Sequence, residues 1–207
     1  MTWSAPPGTA ALIFDFDGTL ADTMPVHYRA WGKVLGGVGI PFTEERFYQL
    51  GGMPTAKIIR LLSDETGIPV ADADIPAMVH AKEAMFLQFL PTVTRLEPVV
   101  NVAAAYRGAL PMAVATGGYR AVIQKTLEFV ALQDWFHAMV CAEDTPRHKP
   151  EPDVFLEAAR RLNVADAARC VVFEDTDIGL EAARRAGMTG VDVRDWLPPR
   201  PGENRRR

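Results

Sequence analysis

The sequence predicts an α/β protein: a doubly wound parallel sheet with helices on both faces and a small all-helical insert after the first strand. Three observations carry that expectation. Short apolar runs alternate with helical patterns over residues 92–193, which is how strand–helix–strand crossovers read in sequence. An aspartate-rich turn closes the first apolar run. Between that turn and the next strand-like run, residues 23–91 show helical spacing and no convincing strand.

The first run, 10–14 (Ala-Ala-Leu-Ile-Phe), has the length and bulk of a buried strand bounded by a turn signal. Further strand-like runs fall at 111–115, 138–142, 170–173 and 190–193. Helical patterns lie between them at 99–108, 121–129, 153–162 and 178–186, and Gly187 is a natural stop after the last. In the insert, helices are expected near 26–34, 54–62 and 75–90, punctuated by Gly36-Gly37, Gly51-Gly52 and Gly67. Residues 91–98 bring the chain back. The expected organisation is therefore a core of 1–22 and 92–207 interrupted by a helical unit of 23–91.

At 207 residues, 48% hydrophobic and 23% charged, the chain has room for one moderate core plus a small insert. Its net charge of −4 argues against a general role on nucleic acid or an anionic membrane surface. Arg205-Arg206-Arg207 follows Pro198, Pro199, Pro201 and Gly202 and reads as a solvated terminus. No apolar run approaches the roughly 18 residues that span a bilayer. Met1 to Gly8 has neither a basic start nor a long apolar stretch, so no secretory signal is expected. Cys141 and Cys170 each adjoin an apolar run and read as buried free thiols of a reducing compartment. The expectation is a cytoplasmic protein, with a monomer favoured.

The chemistry gathers around Ile13-Phe14-Asp15-Phe16-Asp17-Gly18-Thr19-Leu20. Strand ends of an open α/β sheet are where such folds place their sites. Two carboxylates this close repel unless a cation or a shared proton relieves them; a solvated Asp-x-Asp-Gly turn is the plainer alternative. Three other segments fall where a parallel sheet would bring them to the same edge: Thr116-Gly117-Gly118, Lys149 between Arg147 and Pro152, and Glu174-Asp175. Taken singly they read as a turn, a surface lysine and a helix start. Together they supply what phosphoryl transfer needs. An aspartate can attack phosphorus, and a second carboxyl can move the proton. A hydroxyl, backbone N–H groups and a lysine can hold the transferring oxygens, and oxygen ligands suit Mg²⁺.

These residues resemble the four signature motifs of the haloacid dehalogenase-like hydrolase superfamily, over about residues 10–193. The stretches Lys149-Pro150-Glu151-Pro152-Asp153-Val154-Phe155 and Phe173-Glu174-Asp175-Thr176-Asp177-Ile178-Gly179 are specific to it. The helical insert resembles the small cap of the β-phosphoglucomutase-like branch, on a Rossmann-like core. The resemblance implies Asp15 as nucleophile and Mg²⁺ ligand, and Asp17 as general acid/base with its backbone carbonyl on Mg²⁺. It implies Thr116, Gly117 and Lys149 around the phosphoryl group. Asp175 would be a metal ligand, with Glu174 nearby or acting through water. A carboxylate at Asp17 argues against dehalogenation.

In the insert, His27 could point at substrate from the first helix or simply pack there. Gly51-Gly52-Met53-Pro54-Thr55 would be the loop facing the site, with Gly52 and Thr55 as candidate substrate contacts. Sugar mutases of the branch resembled carry arginine near Thr55; its absence weakens a mutase reading, and the Pro54-Thr55 pairing resembles fructose-1-phosphatase-like members. Lys82 or Lys57 could supply a cation in place of that arginine, though an exposed helical lysine is the default for both. His80, His137 and His148 show no ligand-like spacing. The implied activity is Mg²⁺-dependent hydrolysis of a small phosphorylated sugar or related metabolite. A sugar-phosphate mutase and a non-catalytic phospho-ligand sensor are the alternatives.

Overall fold

The structure is a computed structural model that describes residues 3–199, so the basic tail lies outside the described residues. Five parallel strands, β1 (Ala11–Phe14), β2 (Met112–Ala115), β3 (Ala138–Val140), β4 (Cys170–Glu174) and β5 (Thr189–Asp192), form one sheet in the order β3-β2-β1-β4-β5. Ile13 of β1 registers with Ala113 on one side and Val172 on the other. From β1 the chain winds to β2 and β3 in one direction, then returns to lay β4 and β5 on the far side. The crevice between β1 and β4 is therefore the switch point, where open sheets of this kind place their ligands.

Both faces of the sheet are covered, which is why its central strands are continuous apolar runs and do not alternate with polar residues. Leu12, Phe14, Met112, Val114, Val171 and Phe173 point to one face and pack with α5 (Glu97–Tyr106) and α6 (Arg120–Phe129). On that face Phe14 and Phe173 stack with centroids 4.7 Å apart. Ala11, Ile13, Ala113, Ala115 and Val172 point to the other, against Ala158 and Ala159 of α7 (Asp153–Arg161) and Ala182 and Ala183 of α8 (Asp177–Arg185). Small residues on both sides let those helices lie close to the strands.

Between β1 and β2 come α1 (Met24–Gly37), α2 (Glu44–Gln49), α3 (Thr55–Thr66) and α4 (Ile75–Phe89). They enclose a cluster of their own around Trp31, Leu35, Phe47, Ile59 and Ile75. Val26, Ala30 and Phe86 instead join the layer over the sheet, so the insert is seated on the core through α1 and α4.

The expected strands and helices are present, with shifted ends. α5 starts at Glu97 because Pro98 fits its first turn. β3 stops at Val140, and the chain turns at Ala142–Asp144. α2 was not expected. It is only six residues long, held by Thr43, whose side chain accepts from the Arg46 N–H at 3.2 Å, with Glu44 and Glu45 in the first turn. Cys141 and Cys170 are buried and unpaired. No helix among the described residues is long and apolar enough to cross a membrane.

Candidate active site

β1 ends at Phe14, and Asp15 still donates its N–H to Phe173 O (3.0 Å), so the carboxylate is fixed at the sheet edge. Beside it, the loop between β3 and α7 delivers Lys149. Its Nζ donates to Asp15 Oδ1 at 2.7 Å and to Glu174 Oε1 at 2.6 Å. Glu174, the last residue of β4, accepts at Oε2 from the Asp175 N–H, the Thr176 N–H and the Thr176 hydroxyl, at 2.7, 2.7 and 2.9 Å. Asp175 accepts at Oδ1 from the Thr19 hydroxyl at 2.9 Å. Gly179 in α8 is required here, since a Cβ on it would stand 1.9 Å from Glu174 Oε1.

Asp15, Glu174 and Asp175 are all buried, and each can offer an oxygen within 4.8 Å of the others'. Three buried carboxylates face one lysine. Burial pushes the Asp15 carboxyl well above its usual range; Lys149 draws it back, while Glu174, Asp175 and Asp17 push it further up. Burial works against the Lys149 ammonium, but Asp15 and Glu174 outweigh it and hold the group charged. The negative charge left over and the all-oxygen donors fit a hard divalent cation. Glu174 has both oxygens committed to protein donors, which leaves Asp15 and Asp175 the better placed to reach one.

Asp17 faces a different environment. Its Oδ1 accepts from the Thr23 hydroxyl at 2.7 Å and meets His27 Nε2 at 3.1 Å. The other ring nitrogen, Nδ1, lies 2.9 Å from Lys82 Nζ. An ammonium can only donate, so Nδ1 accepts from Lys82 and Nε2 is the nitrogen that donates toward Asp17. Burial raises the Asp17 pKa, but His27, the Thr23 hydroxyl and Lys82 outweigh it, and the carboxyl sits below its ordinary value. Its Oδ2 lies 3.3 Å from where a Cβ on Gly118 would stand.

Thr116 and Gly117 follow β2 at the same edge. The Thr116 hydroxyl accepts from the Gly118 N–H at 3.0 Å. A Cβ on Gly117 would lie 3.7 Å from Gly52 O, so the insert's glycine loop closes over this turn. Gly52 has φ +80° and lies against Ile178, where a Cβ would fall 2.7 Å from Cδ1. The sequence-expected residues Asp15, Asp17, Thr116, Gly117, Lys149, Glu174, His27, Gly52 and Thr55 all line one cleft. Asp175 lies beside it, 2% exposed.

Lys82 departs from expectation. It is 5% exposed, held between His27 and Glu83 Oε1 (3.0 Å) and near the Trp31 and Phe86 rings. A lysine buried by a neighbouring helix looks like a solvated one in sequence. His27 does not simply pack or point outward; it is the link between Lys82 and Asp17. Thr19, Thr23, Thr176 and Glu83 were not singled out. Thr19 and Thr176 adjoin the motifs they brace, whereas nothing local marks Thr23 or Glu83.

A cleft of buried carboxylates and a lysine at the switch point of a doubly wound sheet is that of an α/β enzyme. The chain belongs to the haloacid dehalogenase-like hydrolase family, whose sequence pattern matches residues 12–193. Fructose-1-phosphate phosphatase YqaB of Escherichia coli is 42% identical over 186 residues, 89% of this chain and 96% of that protein. β-Phosphoglucomutase of Bacillus subtilis is 27% identical over 194 residues, 91% and 84% of the two chains. Among solved structures, a hydrolase from Pseudomonas syringae matches with a TM-score of 0.79 and 28% identity, over 88% of this chain and 84% of that one. β-Phosphoglucomutase from Clostridium difficile matches with a TM-score of 0.81 over 88% and 83%; at 23% identity it shows the shared fold.

Proposed function

We propose that the protein is a Mg²⁺-dependent phosphatase of small phosphorylated sugars or related metabolites, acting through an aspartyl-phosphate on Asp15. The observation that carries the reading is the division of labour between two aspartates: Asp15 is fixed among Lys149, Glu174 and Asp175, while Asp17 is held separately by Thr23 and His27. The 42% identity to a fructose-1-phosphate phosphatase supports the substrate class.

Asp15 attacks phosphorus as the bond to the sugar oxygen breaks, and Asp17 delivers a proton to that oxygen. The incoming phosphate's charge raises the proton affinity of Asp17 and brings it to the acid form. Asp17, now a carboxylate, takes a proton from water, which attacks the phosphoryl group and frees Asp15. Thr116, the Gly117 N–H and Lys149 hold the equatorial oxygens throughout. Asp15, Asp175 and the Asp17 carbonyl would hold Mg²⁺, with Glu174 nearby, and the ion would supply charge neutralisation for the phosphoryl transfer. Residues 23–91 act as a cap over a core of 1–22 and 92–207, excluding bulk water during the reaction. We place the enzyme in the cytoplasm as a monomer, a reading supported by its two unpaired buried thiols and its ordinary composition.

The test is phosphate release from a panel of sugar phosphates, with and without Mg²⁺, beside Asp15→Asn. Release that needs Mg²⁺ and falls by at least about 10³-fold in the variant is expected. Release undiminished in Asp15→Asn would overturn the assignment, and conversion of glucose 1-phosphate to glucose 6-phosphate would make the enzyme a mutase.

A further inference from the structure

We propose that Glu83 makes this cleft select the monophosphate of a polyhydroxylated sugar and reject bisphosphates. The inference rests on the phosphatase reading and assigns its specificity to a residue outside the groups that act on phosphorus.

Lys82 and Glu83 are neighbours in α4, and both line the cleft that holds Asp15. Lys82 is the cation that the insert brings to this wall. Its Nζ is committed to His27 Nδ1 (2.9 Å) and Glu83 Oε1 (3.0 Å), and its side chain is 6% exposed. The lysine is thus neutralised and turned toward Asp17, with no free charge for a second phosphate. Glu83 is more open, at 15%. Its Oε1 also accepts from the Thr55 hydroxyl at 3.4 Å, and Oε2 takes no hydrogen bond among the described residues.

The cleft that holds Asp15 is therefore also lined by a carboxylate with spare acceptor capacity. Sugar hydroxyls are donors that a carboxylate binds well. Glu83 is the more open member of that ion pair, so a second phosphate there would meet its carboxylate before the lysine, an arrangement that rejects a competitor by repulsion as much as by missing contacts. The same wall explains why Thr55 can stand where a mutase would place a cation: it is tied to Glu83 and presents the oxygen of a hydroxyl.

The experiment compares fructose 1-phosphate, fructose 1,6-bisphosphate and p-nitrophenyl phosphate in the wild type, Glu83→Gln and Glu83→Asp. p-Nitrophenyl phosphate lacks sugar hydroxyls and a second phosphate, so any effect of Glu83 on the chemistry through Lys82 and His27 enters its rate and cancels in ratios. The wild type is expected to favour the monophosphate over the bisphosphate by at least about tenfold in kcat/KM, with the bisphosphate a correspondingly poor competitive inhibitor. Glu83→Gln should shrink that ratio by about tenfold, mostly through KM, and Glu83→Asp should largely keep it. An unchanged ratio in Glu83→Gln, or a wild type that binds the bisphosphate as tightly as the monophosphate, overturns the proposal. The inhibition measurement decides the matter in wild-type protein if Glu83→Gln does not fold. Failure of the wild type to release phosphate from any of the three would instead overturn the phosphatase reading beneath it.

Discussion

Glu174 shows how a single side chain is held by its neighbours: one oxygen on Lys149, the other on two backbone N–H groups and the Thr176 hydroxyl. That posture requires Gly179, whose hydrogen leaves room for the carboxylate where a methyl cannot fit. Gly179→Ala should push Glu174 off Lys149, lower the unfolding free energy by about 2–3 kcal/mol and cut phosphate release at least tenfold. Urea unfolding beside an activity assay checks both, and a variant of wild-type stability would show that the helix can move aside. The meeting of Asp15, Asp17, Thr116 and the Glu174-Asp175 pair at one sheet edge was legible in the sequence because each follows an apolar run, and that of Lys149 because it stands in a proline-flanked loop. The roles of Lys82 and Glu83 were not, since burial by another helix and the identity of a partner 55 residues away leave no local mark.

At the scale of elements, α1 and α4 work as a pair. Lys82 and Phe86 are one turn apart on α4 and so share a face; the lysine reaches His27 Nδ1 while Phe86 stacks on the ring at 4.2 Å. Phe86 is fully buried and belongs to the layer over the sheet, so it sets the position of His27 and anchors the insert. Phe86→Ala should cost about 3–5 kcal/mol in unfolding free energy. It should also lower kcat more than it raises KM, because His27 would no longer be fixed against Asp17. Denaturant unfolding and steady-state kinetics test the two halves separately; lost stability with unchanged kcat would reduce Phe86 to packing alone. The helices themselves were legible from period and glycine punctuation. α2 escaped because six residues carry too little period to read, although Thr43 followed by Glu44 and Glu45 is a start signal.

The sheet as a whole buries groups whose ionisation the folded state resists, and this bounds the protein's stability at high pH. Cys141, just after β3, is pushed up to about 12 and Cys170, at the start of β4, to about 11, each chiefly by burial, from an ordinary value of 9.0. A raised folded value means the thiol adds stability that is fully present below 9.0 and is lost as the pH climbs toward the folded value. At pH 10 an unfolded thiol is largely ionised and a folded one is not, which costs about 1.4 kcal/mol per thiol relative to neutral pH. The two together remove about 3 kcal/mol, a large share of the 5–15 kcal/mol that typically holds a domain folded. Urea unfolding at pH 8 and pH 10 should therefore show a steeper loss in the wild type than in a Cys141→Ala, Cys170→Ala double variant. Lysines and tyrosines titrate alike in both proteins and drop out of the difference. Equal losses in the two would mean that the thiols ionise as readily folded as unfolded, and that the sheet edges at Cys141 and Cys170 admit water.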